Sequence, residues 1–272
     1  DVIWFDINYM DEFRVFTINN RDFPDPKRMN DYLHGNGFRS VYMIDPGVKV
    51  DENYYVYKTG KEQDVFVRDA YRNEFHGKVW PGDCAFPDFT RPETRTWWAG
   101  LYKDFLANGI DGIWNDMNEP SVFDGPGGTM PVSNIHLGGG NLPTGTHLMY
   151  HNAYGRLMVE ASYNGILAAN PDKRPFVLSR SNILGGQRYA AMWTGDNEAT
   201  YEQMKLSVPM SITLGLSGQP FNGPDIGGFA GNTIADLWGH WLGFGAFFPF
   251  SRGHASCDTN NKEPFGHLLR IY

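Results

Sequence analysis

Residues 113–120 read Ile-Trp-Asn-Asp-Met-Asn-Glu-Pro, which sets two carboxylic acids at the end of a short apolar run. The run Gly112, Ile113, Trp114 is too short for a helix face and Pro120 blocks continuation, so it reads as a buried strand ending in a loop. Asp116 then stands at the carboxyl end of a strand. Parallel α/β proteins gather reactive side chains there, because the loops converge on one crevice while the strands below hold them rigid. A carboxylate so placed suits attack on a sugar carbon, although taken alone Asn115 or Asp116 could instead cap the following helix. A second apolar run, Ala-Ala-Met-Trp-Thr-Gly-Asp over 190–196, ends in Asp196. Cleaving a glycosidic bond with retention takes two carboxyl groups about 5–5.5 Å apart, one attacking the anomeric carbon, the other protonating the leaving oxygen and then activating water. As the cap of a helix beginning near Tyr201, Asp196 would stand several residues early.

Other apolar runs also stop at charged groups: Asp6 after Ile-Trp-Phe, Asp45 after Tyr-Met-Ile, Arg180 after Val-Leu-Ser, then Asp225 and His254. Taken singly, each could be a cap or a surface ion pair. Together they could hold the hydroxyls of a sugar in a fixed orientation, with Trp80 and Trp114 to stack on the ring or wall the pocket.

These groups need a scaffold that ends many strands on one rim. Strand-like runs fall at Val2–Ile7, Ser40–Ile44, Gly112–Asn115, Phe176–Ser179, Ala190–Thr194, Gln219–Asn222 and Phe247–Phe250. Helical patterns lie between them at Pro26–Asn36, Pro92–Asn108, His147–Ala169, Tyr201–Leu214 and Thr233–Phe244, while 182–189 is too short and Gly-rich for a helix. Such alternation is the pattern of a parallel sheet wrapped by helices, an α/β fold. A (β/α)8 TIM barrel needs eight strands, and the strand-first opening points to a chain that begins after the first. A single partial barrel over 1–272 is therefore expected. Segments 46–91 and 124–146, rich in Gly, Pro and polar residues, interrupt the rhythm after the strands ending near Asp45 and Asp116. They read as insertions on the substrate side, the first large enough for a small subdomain.

The composition is that of a globular chain with ample core, 41% hydrophobic and 15% aromatic over 272 residues. A net charge of -8 with no basic patch makes nucleic acid an unsuitable partner. Cys84 and Cys257 have no metal-ligand spacing and leave only a single bridge open. No run is long and apolar enough for a membrane span.

The wording of these segments resembles a known family. Trp-Asn-Asp-Met-Asn-Glu-Pro-Ser at 114–121 is similar to the nucleophile signature of glycoside hydrolase family 31, in its α-glucosidase branch. The likeness continues in order through Trp-Phe-Asp-Ile-Asn-Tyr-Met at 4–10, Val-Trp-Pro-Gly at 79–82, Ala-Phe-Pro-Asp-Phe-Thr at 85–90, Leu-Ser-Arg-Ser at 178–181, Trp-Thr-Gly-Asp at 193–196, Gly-Pro-Asp-Ile-Gly-Gly-Phe at 223–229 and Ser-Arg-Gly-His at 251–254. The resemblance implies that Asp116 is the nucleophile and Asp196 the general acid/base of a retaining, exo-acting α-glucosidase that needs neither cofactor nor metal. It implies that Asp6, Arg180 and His254 hold sugar hydroxyls, that Met43, Trp80, Trp114, Met117, Trp193 and Phe229 line the pocket, and that Asp225 supports it from beneath. Arg180 would keep the nucleophile ionised by its charge. The substrate implied is an α-glucoside oligosaccharide or glucan. An α-glucan lyase, which shares both acids, and a glucan-binding barrel fragment without turnover are the alternatives. Asn8 departs from the pattern, since many relatives carry an acid there. Oligomeric state and compartment are not legible.

Overall fold

The structure, a computed structural model, describes residues 1–263; the rest of the barrel expected over 1–272 lies outside that description. The described chain divides into two compact units, 1–183 and 184 onward.

The first unit carries β1 (Val2–Phe5), α1 (Pro26–Gly35), β2 (Arg39–Ile44), β3 (Val48–Lys49), α2 (Tyr55–Glu62), β4 (His76–Val79), β5 (Gly82–Ala85), α3 (Pro92–Leu106), β6 (Gly112–Asn115), β7 (Ile135–His136), β8 (Gly145–Thr146), α4 (His147–Ala169) and β9 (Val177–Ser179). Its main sheet is parallel, in the order β1-β2-β6-β9. Residues 40–44 and 112–115 are buried without interruption, as expected of inner parallel strands covered on both faces. The helices start where the sequence supplies caps: the Asp25 carboxylate accepts the Arg28 N–H (2.9 Å) with Pro26 at the first position, and Pro92 opens α3. Helices α3 and α4 meet through Tyr102, whose hydroxyl lies 2.9 Å from Ser162 Oγ. Phe16 fills the space beside them, edge-on to Trp98 at 5.0 Å and to Tyr102 at 4.9 Å. Each such aromatic pair adds about 0.5–1.5 kcal/mol beyond simple burial.

The segment 46–91 is more regular than a loop. It contains α2 and an antiparallel sheet in the order β3-β5-β4. Segment 124–146 carries the two-stranded ribbon β7-β8. The first expected strand stops at Phe5 rather than Ile7, because the Asp6 carboxylate accepts the Ile7 N–H (2.7 Å) and starts a turn of 3-10 helix over Ile7–Tyr9.

The second unit carries β10 (Ala191–Trp193), α5 (Tyr201–Leu216), β11 (Asn222–Gly223), β12 (Asp225–Ile226), α6 (Ala235–Gly245) and β13 (Arg252–Gly253). Strands β10 and β11 are parallel neighbours, as are β12 and β13. Two expectations are corrected here. The run Phe247–Phe250 is a turn, not a strand; Phe247 is 89% exposed, and Pro249 has no N–H to give a ladder. The strand is instead Arg252–Gly253, paired with Asp225–Ile226, which sequence reasoning passed over. The strand expected at Gln219–Asn222 begins only at Asn222 and extends to Gly223, where a Cβ would lie 1.8 Å from the Phe250 carbonyl oxygen. Cys84 and Cys257 are both free thiols.

Candidate active site

In the first unit, strand register brings the expected residues into one row. Ile44 pairs with Asn115 and Asn115 with Ser179, so Asp45, Asp116 and Arg180 follow one step further along β2, β6 and β9. Two residues lower on each strand, hence on the same face, stand Met43, Trp114 and Leu178 in mutual register. Phe5 pairs with Tyr42, which sets Asp6 beside Met43. The sheet itself thus collects Asp6, Met43, Trp114, Asp116 and Arg180 on one rim, with strands roughly 4.8 Å apart.

The loops beyond the row are tied down by their own side chains. Met117, directly after Asp116, adopts a left-handed backbone (φ 55°), and its N–H donates to Asp116 Oδ1 (2.7 Å). Buried Asn118 donates to Ser179 Oγ (2.9 Å) and accepts the Ser181 N–H (3.1 Å), locking the loop after β6 to the loop after β9. The Tyr9 hydroxyl donates to the Met43 carbonyl (2.6 Å) and fixes the chain after β1. A left-handed residue other than glycine costs on the order of 1 kcal/mol or more, and persists where its surroundings over-determine it.

Arg180 is the cation of this rim. Its Nη1 lies 3.2 Å from Asp116 Oδ1, while Nε and Nη2 reach Glu119 Oε1 at 2.8 Å and Oε2 at 3.0 Å. Nη2 also donates to Ser121 Oγ (3.1 Å) and approaches Met117 Sδ (3.2 Å). The fork grips Glu119 with two parallel bonds, which fixes the guanidinium plane and presents its remaining edge to Asp116. Burial pushes the Glu119 carboxyl up, but the Arg180 hydrogen bonds and charge outweigh it and hold the group below its ordinary value. Glu119 is a site residue that sequence reasoning quoted without assigning; its distance of only three residues from Asp116, with Pro120 turning the chain, was the available signal.

Trp80 stands apart from this row in its visible contacts. It is 46% exposed, packs edge-on against Phe123 at 5.0 Å, and lines a cleft of about 360 Å³ with Phe13, Arg14, Lys49 and Asp51 among others.

In the second unit, Trp193 is buried at the end of β10, and Asp196 follows through Gly195, exposed to solvent. Asp196 does not cap α5. That cap is Thr200, whose side chain accepts the Gln203 N–H (3.2 Å). Asp196 instead borders a small cavity of about 90 Å³ with Thr194, Asn197 and Gln203. Asn197 anchors the loop: its Nδ2 donates to the Asp225 carbonyl (3.0 Å), and its Oδ1 accepts the Phe229 N–H (2.9 Å). Phe229 stacks on His254 with ring centres 5.1 Å apart. Burial, then the Arg252 charge, lower the His254 pKa to about 3, so its imidazole is neutral at ordinary pH. Asp225 is fully buried and ion-paired with Arg252, Oδ1 to Nη2 at 2.8 Å and to Nε at 3.2 Å. The Arg252 guanidinium in turn lies 5.2 Å from the Trp193 ring centre, a cation–π contact that orients the indole. Arg252 and Asn197 are positioning residues that sequence reasoning missed. A buried acid such as Asp225 demands a cation, and Arg252 sits inside the Ser-Arg-Gly-His segment already singled out.

Among the described residues no cluster of three or more His, Cys, Asp or Glu could hold a metal ion, and no helix is long and apolar enough to cross a membrane.

Residues 1–267 match the family model described as the glycosyl hydrolases family 31 TIM-barrel domain. Over 265 residues the chain is 46% identical to Alpha-glucosidase 2 of Bacillus thermoamyloliquefaciens, covering 97% of this chain and 33% of that protein. It also resembles a crystal structure of glucosidase II alpha subunit, with a TM-score of 0.92 at 42% identity, covering 97% of this chain and 29% of the other. A Family 31 alpha-glucosidase from Bacteroides thetaiotaomicron matches with a TM-score of 0.86 at 60% identity, covering 97% and 42%. The chain spans about a third of the length of the curated relatives it matches, 33% in the Bacillus case.

Proposed function

The chain belongs to glycoside hydrolase family 31, as a TIM-barrel domain of it, and from that premise we propose that the protein is a retaining, exo-acting α-glucosidase releasing terminal non-reducing α-linked glucose from oligosaccharides. In this reading Asp116 attacks the anomeric carbon and Asp196 protonates the departing oxygen, then deprotonates the water that frees the enzyme. Retention follows because two inversions at one carbon cancel. Asp6, Arg180 and His254 hold hydroxyls of the terminal glucose. Met43, Trp80, Trp114, Met117, Trp193 and Phe229 wall it, and Asp225 supports the wall through Arg252. As a neutral imidazole, His254 can both donate to and accept from a hydroxyl, which suits an uncharged sugar.

One observation carries the reading: Asp116 stands in the rim row with Arg180 at 3.2 Å, a fixed positive charge that favours its ionised, nucleophilic form. Incubation with a fluorinated α-glucosyl fluoride, followed by mass spectrometry of the peptides, tests it. A covalent adduct on Asp116, together with glucose of retained configuration from ordinary substrate, is the expected result. A product lighter by one water would mean elimination, the lyase outcome. Failure to label Asp116, with no sugar released, would leave a glucan-binding barrel and defeat the enzyme reading.

A further inference from the structure

Among the described residues, the rim of the first unit holds an excess of acids over one guanidinium, that of Arg180. Asp6, Asp45, Asp116 and Glu119 all act on one neighbourhood, and Arg180 already serves Asp116 and Glu119. Asp45 is the most enclosed of the four: it is 5% exposed, stands beside Asp116 in the register row, and its Oδ1 is buried with no protein hydrogen-bond partner among the described residues. An ionised oxygen in that state is among the costliest arrangements a protein can contain, whereas a carboxylic acid tolerates it. The chain after Asp45 offers no remedy, since Pro46 has no N–H to give.

We propose that Asp45 is a positioning residue of this row, a buried carboxylic acid that keeps its proton through the working range and so leaves Arg180 to Asp116 and Glu119. The groups that act on it are Asp6 and Tyr9 after β1, Cys84 on β5, Asp116 and Glu119 after β6, and Arg180 after β9. Burial, then the charges of Asp116 and Asp6, push its carboxyl well above the ordinary range, and Arg180 pulls the other way without prevailing. Were Asp45 ionised, its charge would compete for Arg180 and raise the pKa of the adjacent Asp116, working against the ionised nucleophile. A proton shared out in this manner is how neighbouring carboxyl groups divide their roles.

The inference rests on Asp116 being the nucleophile, and the experiment separates the two. Infrared spectra of the intact protein, unlabelled and with 13C-aspartate, are taken at neutral pH. A protonated-carboxyl band that shifts with the label, persists in Asp196→Asn and vanishes in Asp45→Asn is expected; no such band overturns the proposal. Should Asp45→Asn not fold, Asp45→Glu replaces it, and the band must then lose its response to aspartate labelling. In parallel, kcat/KM is followed against pH with an aryl glucoside whose leaving group needs no protonation. Asp45→Asn should stay within about fivefold of the parent near neutrality and lose the alkaline limb, whereas Asp116→Asn should fall by about a thousandfold or more. A fall in Asp45→Asn as deep as in Asp116→Asn would show that the charge of Asp45 is required and would refute the neutral acid. If Asp116 takes no covalent label, the α-glucosidase reading fails, while the infrared band still decides the state of Asp45.

Discussion

Arg180 divides one guanidinium between two acids, and the division is unequal by design of the geometry. Glu119 takes two parallel bonds at 2.8 and 3.0 Å and Asp116 takes one edge at 3.2 Å, so Glu119 aims the cation and Asp116 uses it. Replacing Glu119 by Gln keeps the shape but gives up the charge and one acceptor, letting the guanidinium swing. Activity should fall about 10- to 100-fold in kcat/KM, the range seen when a residue orienting a functional group is lost, while covalent labelling of Asp116 persists at a reduced rate. Unchanged kinetics would mean that Arg180 is held without Glu119. The Asp225–Arg252 pair poses a stability question instead, because the two side chains are 0% and 1% exposed. Arg252→Ala takes the cation away from a buried carboxylate and from the Trp193 indole, and should cost about 3–5 kcal/mol in chemical unfolding; a loss below 1 kcal/mol would show that Asp225 does not depend on it. Neither Glu119 nor Arg252 was assigned from sequence, for a shared reason. Asp116 and Asp196 announce themselves by ending apolar runs, but which cation serves which acid is decided by register between strands distant in sequence.

Elements were legible where the local pattern and the tertiary burial agree. Strand Gly112–Asn115 and helix His147–Ala169 have the bounds that periodicity predicts, because Pro and Gly punctuate the one and a sustained apolar face runs through the other. The run Phe247–Phe250 misled because four apolar letters look like a strand, yet Pro249 cannot enter a ladder. Helix α4 also props the rim. A Cβ on Gly155 would meet the Ser181 carbonyl oxygen at 2.6 Å and that of Asn118 at 2.8 Å, the carbonyls of the loops that follow Arg180 and Asp116. Gly155→Ala gains about 1 kcal/mol of helix propensity, and overpacking of about 1–3 kcal/mol opposes it. Net destabilisation, with kcat/KM reduced more than Tm suggests, is expected; a more stable protein of full activity would show that the loops can retreat. The start of α4 carries a buried chain of polar contacts, Asp88 Oδ1 to His136 Nδ1 at 3.0 Å and His136 Nε2 to His147 Nδ1 at 3.0 Å. Burial, then the charges of His136 and His151, hold the His147 pKa down at about 3, against about 6.5 unfolded. Because the folded value is the lower one, the unfolded chain binds this proton first. The contribution is whole above pH 6.5 and is lost as pH falls from there toward 3, at up to about 1.4 kcal/mol per pH unit. Urea unfolding at pH 7 and pH 5 should therefore show a larger loss for the parent than for His147→Gln, and equal losses would exclude the histidine as the source.

At the scale of the whole molecule, the two carboxyl groups proposed for the reaction belong to different compact units, Asp116 to residues 1–183 and Asp196 to the unit that begins at Leu184. The chain corresponds to a third or less of the length of the Bacillus and glucosidase II relatives, so the segments that choose linkage and chain length in them need not lie within this barrel. Sequence wording alone was enough to nominate Asp196, since Trp-Thr-Gly-Asp closes an apolar run, and the structure removes its simplest rival role by giving the α5 cap to Thr200. Asp196 is exposed to solvent, which suits a group that must exchange protons with both a leaving oxygen and water. Proton donation is needed only when the leaving group is poor, so its loss has a chemical signature that general misfolding cannot mimic. Asp196→Ala should reduce kcat/KM for a disaccharide by about a thousandfold or more, yet reduce it about tenfold or less for an aryl glucoside with a strongly acidic phenol. The glucosyl intermediate on Asp116 should then accumulate with the aryl substrate, because the same carboxylate that donates in the first step activates water in the second, and added azide should relieve the block by attacking without a base. Equal losses on both substrates would remove Asp196 from the role of acid/base and oblige another carboxyl to fill it.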